Sequence, residues 1–160
     1  MKTILALFAF AAIAAAQDSY LAIGGGAGDQ IGMTGTFGYA VSERDFVTVS
    51  ADVSAKVVNG KRFFYTTARP GYQREIARAE PKLGTLRLLT SLDMGAQMGG
   101  NSVVGSGSVG GTITFEPKRT PNLFLYANYR GIKSPSADPK IDAIRATFTA
   151  GVGVKLTKLK

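Results

Sequence analysis

Residues 143–156 read AIRATFTAGVGVKL and alternate along their whole length. Ile144, Ala146, Phe148, Ala150, Val152, Val154 and Leu156 fall on one face, with Arg145, Thr147, Thr149, Gly151, Gly153 and Lys155 on the other. Successive side chains of a β-strand point to opposite faces, so this is a strand with one apolar and one polar side. The rest of the chain repeats the pattern.

Towards the N terminus, seven more segments alternate between turn residues. Residues 20–27 are glycine-rich and stop at Gly28-Asp29-Gln30. Ile31, Met33, Phe37, Tyr39 and Val41 then oppose Gly32, Thr34, Thr36 and Gly38, and Ser42-Glu43-Arg44-Asp45 turns the chain. Val47, Val49, Ala51, Val53, Ala55 and Val57 oppose Thr48, Ser50, Asp52, Ser54 and Lys56. Asn59-Gly60 follows, a strong signal for a two-residue hairpin. The fourth segment, about 62–72, is interrupted by Pro70-Gly71, and its parity is ambiguous.

In the fifth segment Leu86, Leu88, Leu92, Met94, Ala96 and Met98 oppose Thr85, Arg87, Ser91, Asp93 and Gln97, with Leu89 and Thr90 exchanged in type. The sixth sets Val103, Val109, Ile113 and Phe115 against Ser106, Ser108, Gly110, Thr112 and Thr114. The seventh covers residues 123–130, and a loop over 131–141 leads to the last. No amphipathic helix of ordinary length appears. The fold class is all-β: an eight-stranded antiparallel up-and-down meander closed as a barrel.

Composition sets further bounds. The 160-residue chain has no cysteine, so disulfides and thiolate metal sites are excluded. It has no histidine, which removes every His-based triad and the commonest zinc ligand sets. No cofactor or metal is expected. Lys2, the apolar run to Ile13 and Ala14-Ala15-Ala16 read as an export signal, cleaved after Ala16, leaving 17–160 as the barrel domain. The formal charge of +8 then points to anionic lipid or lipopolysaccharide and not to cytoplasmic nucleic acid.

Alternation alone does not say which face is inside. The polar face is mostly Ser, Thr and Gly, which suits a narrow lumen; a water-facing surface would be rich in Lys and Glu. The apolar face of the third, fifth and eighth segments carries no charge, as a lipid-facing surface requires. This points to a transmembrane barrel, in which Tyr39 and Phe115 read either as half of an aromatic girdle or as ordinary strand aromatics. The runner-up is a soluble exported carrier with a lipocalin-like apolar cavity, and a third reading is a narrow gated channel.

On these residues the chain resembles the small eight-stranded outer-membrane barrels of Gram-negative bacteria, the OmpA/OmpX-like and opacity-type group. Residues 150–156, AGVGVKL, are similar to the terminal strand by which such proteins are recognised for barrel insertion; Leu156 stands where family members usually have an aromatic residue. The resemblance implies a monomeric outer-membrane protein with a structural or surface-interaction role; the group includes lipid-modifying enzymes, but these rely on a histidine that this chain lacks, so no enzymatic activity is expected. Its partners would be outer-membrane lipid, lipopolysaccharide and the insertion machinery. It also implies periplasmic termini and outer loops near 28–30, 56–61, 99–101 and 131–141. The turn over 73–82 would then be a long periplasmic one.

The charges on the polar parity are the nearest thing to a site. Asp52, Lys56, Arg87, Asp93, Glu116, Arg130, Arg145 and Lys155 all fall there or at its ends. A buried carboxylate needs a partner, so a network linking Asp52 and Asp93 to Arg87 and Arg145 is expected to plug the lumen. Nothing indicates a substrate cleft for paired carboxylates acting as acid and base. The run GSGSVG at 105–110 matches a dinucleotide-binding pattern in letters, but more strand follows it where a helix is required. The loop cations Lys61, Arg62, Lys133 and Lys140 read either as solubilising surface or as candidates for contact with lipopolysaccharide phosphates.

Overall fold

The computed structural model describes residues 19–28, 31–58, 61–99, 102–133 and 145–156, with 28, 56–58, 61–63, 102 and 145 described by backbone alone. The export segment, the tail from 157, Lys140 and the tips of the four loops opposite the termini lie outside the described residues.

Eight strands follow one another: β1 (Ser19–Gly28), β2 (Ile31–Ala40), β3 (Asp45–Val58), β4 (Lys61–Ala79), β5 (Gly84–Gly99), β6 (Ser102–Pro117), β7 (Leu123–Lys133) and β8 (Arg145–Leu156). Each pairs antiparallel with its neighbours, and β1 pairs with β8 to close the barrel. The register makes a tilted cylinder. Followed from Gly28 through Thr147, Arg130, Gly110, Ser91, Gln73 and Phe46, it arrives at Ala40, next to Tyr39, the partner of Ser19. One circuit therefore climbs roughly ten residues, the stagger that a tilted eight-stranded barrel requires.

Polarity is inverted relative to a water-soluble core. Leu21, Ile23, Met33, Val53, Leu92, Met94 and Ile113 point outward and are exposed. Thr48, Ser50, Arg69 and Asp93 point inward and are the largest fully buried side chains. The buried apolar residues among those described are Ala22, Tyr65, Leu89 and Phe124. Leu89 is inside and Thr90 outside, so the exchange of type in β5 leaves the parity of the strand intact.

The fourth strand differs from its sequence reading. It continues through Pro70-Gly71 to Ala79, and the turn expected over 73–82 shortens to Glu80, Pro81, Lys82 and Leu83. Proline brings no N–H to a ladder, and the pairing with β5 lapses between Ala68↔Ala96 and Gly71↔Asp93, which accommodates it. A bulge at Ile76 then shifts the register, so Glu75 and Arg78, three apart, both reach the inner side. In a regular strand they would face opposite ways.

Candidate functional site: the charged lumen

Inward glycines make the lumen wide enough for its large side chains. A Cβ on Gly38 would lie 2.1 Å from the Tyr20 ring, and one on Gly153 would lie 2.1 Å from the Phe124 ring. The rings thus rest on glycine sockets in the wall. Tyr20 meets Phe46 and Phe124 edge-on, with centroids 5.8 and 5.6 Å apart, and its hydroxyl donates to Gln73 Oε1 at 2.5 Å. These aromatics come from β1, β3 and β7, near the end carrying the termini.

The same mouth also carries an ionic cluster. Glu75 accepts from Arg78 Nε at 2.7 Å and from Arg87 Nη1 at 3.1 Å. Arg87 also reaches Glu116, with Nε 3.0 Å from Oε1, and Lys155 forms a second ion pair with Glu116. Three cations and two carboxylates form one chain of contacts drawn from β4, β5, β6 and β8.

A second cluster lies deeper. Arg69 of β4 pairs with Asp52 of β3, and Arg130 of β7 stands 3.4 Å from Asp93 Oδ2. Ser108 donates to the same Asp93 oxygen at 2.9 Å. Asp93 fits because its register partner is Gly71: a Cβ there would lie 2.0 Å from Asp93 Oδ1. The Pro-Gly step that obscures β4 in the sequence is thus the socket of a buried carboxylate. Thr36 with Ser50 at 3.0 Å, and Asn128 donating to Thr112 at 2.6 Å, add neutral bonds across the wall. A cavity of about 270 Å³ runs between these groups.

Of the residues singled out in the sequence, Asp52 and Asp93 enter this inner cluster, with Arg69 and Arg130 as their partners. Arg87 lies in the outer cluster with Glu75 and Glu116. Arg145 pairs with Ile132 in the ladder, and its side chain lies outside the described residues. Lys61, Arg62 and Lys133 fall at the end opposite the termini; Lys133 is exposed, and the side chains of the other two lie outside the described residues. Sequence reasoning missed Arg69, Glu75 and Arg78. The available signal was the inward series Tyr65, Thr67, Arg69, Gly71, Gln73, Glu75, masked by a mixed outward series that includes Thr66, Pro70 and Arg74.

Buried ion pairs in a narrow tube join strands across its interior. Among the described residues no group of His, Cys, Asp and Glu is arranged to hold a metal ion.

No family model and no curated relative matches the chain. Solved structures do. The N-terminal β-barrel domain of Pseudomonas aeruginosa OprF superimposes with a TM-score of 0.65 at 16% identity, over 87% of this chain and 97% of that one. Neisserial surface protein A (NspA) gives 0.57 at 15% identity, over 86% and 94%. Ail, the attachment invasion locus protein of Yersinia pestis, gives 0.52 at 17% identity, over 87% and 98%. The chain therefore has the fold of the small eight-stranded transmembrane β-barrels of the bacterial outer membrane.

Proposed function

We propose that the protein is a non-enzymatic outer-membrane barrel with a structural or surface-interaction role in the bacterial envelope, its lumen closed by side chains. The observation that supports this is the inversion of polarity. An exterior rich in exposed Leu, Val, Ile and Met would be unfavourable in water, at roughly 25 cal/mol for each Å² left exposed, and is what a bilayer requires. A lipocalin-like carrier needs the reverse arrangement, with its apolar face around a cavity.

In this reading the end with the termini is periplasmic, and the barrel is a monomer placed by the insertion machinery after removal of residues 1–16. The opposite end meets the cell exterior. There Lys61, Arg62, Lys133 and Lys140 contact lipopolysaccharide phosphates. Replacing these four with Gln should weaken lipopolysaccharide binding, and unchanged binding removes that contact from the proposal.

The test of the whole reading is extraction and gel mobility of the mature chain. A protein that needs detergent, and whose unheated sample migrates faster than the boiled one, supports it. A detergent-free monomer without a heat shift overturns it in favour of a soluble carrier. Planar bilayers then test closure: a quiet membrane is expected, and steady conductance would replace the closed lumen with a narrow channel.

A further inference from the structure

We infer that the turns β4–β5 and β6–β7 form a docking edge for anionic phospholipid headgroups in the leaflet bordering the end with the termini. This rests on the transmembrane reading above. The two turns are physically joined, since Lys118 N–H donates to the Leu83 carbonyl at 3.0 Å. Together they carry Lys82, Lys118 and Arg119, all exposed, and none of the three forms an ion pair among the described residues. Glu80 is the one acid in these two turns. The β2–β3 turn on the other side of the barrel is balanced, with Glu43 beside Arg44 and a Ser42 hydroxyl closing onto Asp45 at 2.6 Å.

Among the described turns at this end, the excess of positive charge therefore falls on β4–β5 and β6–β7, with three cations against one acid, and not on β2–β3. The apolar groups beside it say what it meets. Leu83, at the tip of the β4–β5 turn, leaves 79% of its surface exposed. Next to it the outward ring of Phe115 covers Gly84, where a Cβ would lie 2.8 Å from the ring. Leu86 and Leu123 continue the apolar surface towards the lipid band. A leucine and an aromatic ring at the edge of a lipid-facing surface, with three unpaired cations at headgroup depth, match an interfacial anchor for acidic lipid. A soluble anionic partner would use the cations and leave Leu83 and Phe115 without a role.

The experiment is to insert the full mature barrel into nanodiscs of mixed phosphatidylcholine and phosphatidylglycerol, extract it gently, and measure by mass spectrometry which lipids it retains. The wild type should retain phosphatidylglycerol in excess of the input ratio. The triple variant Lys82→Gln, Lys118→Gln, Arg119→Gln should lose about fivefold or more of that excess, with the heat-shifted band confirming that it folds. Leu83→Ser should lower retention with no change of charge, and Arg44→Gln in the balanced turn should leave it unaltered. Insertion with no phosphatidylglycerol excess, or an equal loss in Arg44→Gln, overturns this inference alone. A chain that does not enter the bilayer overturns the transmembrane reading with it.

Discussion

The two ionic clusters use the same residue types in different ways. In the inner one, each acid has one cationic partner and little water: the Arg69 and Asp52 side chains expose 2% and 13%, and those of Arg130 and Asp93 expose 7% and 0%. At the mouth, Glu75 and Glu116 each accept from two cations, and Arg78, Arg87 and Lys155 stay partly in solvent. Removing one partner inside leaves a charge with no second cation and little water. Removing one at the mouth leaves a second partner and some water. The inner cluster is thus an all-or-none brace, and the outer one is a redundant clasp.

Arg69→Met should have the largest effect, because it leaves Asp52 buried and unpaired. A loss of about 3–5 kcal/mol is expected in reversible urea unfolding from lipid vesicles. Adding Asp52→Asn should recover much of it, since a neutral pair of similar shape strands no charge. A single-variant loss as small as those at the mouth would erase the distinction between the clusters. Gly71→Ala comes next. Its methyl meets the Asp93 carboxylate, which Ser108 and Arg130 hold in place, so about 1–3 kcal/mol is expected. Gly35→Ala, with nothing within 4 Å of the new atom, is the control and should be close to neutral. The smallest effect belongs to Lys155→Met. Glu116 keeps Arg87, and a partly exposed pair contributes at most about 1 kcal/mol.

Period-2 patterning made the eight strands, their order and the inward parity of Asp52, Arg87 and Asp93 legible in the sequence. It was enough because a wall with one lipid face and one polar face constrains nearly every residue. Partner choice was not legible, since ion pairs follow the stagger of the closed barrel. Asp52 sits opposite Thr67 in the ladder, yet its ion pair is with Arg69, two residues further on. The fourth strand hid its part of both clusters for two local reasons. Pro70-Gly71 looks like an interruption until the lapse in the β5 ladder and the Asp93 socket are seen together. The bulge at Ile76 moves Arg78 onto the face that a strict alternation assigns to its neighbours. Likewise, Gly38 and Gly153, read in the sequence only as small residues of a narrow lumen, are the seats of Tyr20 and Phe124.

The most direct measurement is a cysteine scan of β5 from Leu86 to Met94, which the absence of native cysteine permits. Each single cysteine would carry a small fluorophore, and quenching by lipids brominated on their acyl chains would be read in vesicles. Quenching is expected at 86, 88, 90, 92 and 94 and not at 87, 89, 91 and 93, with polar Thr90 on the lipid side and apolar Leu89 inside. Quenching that follows hydrophobicity instead, strong at 89 and weak at 90, or that shows no alternation, would contradict a barrel with this register and an apolar exterior.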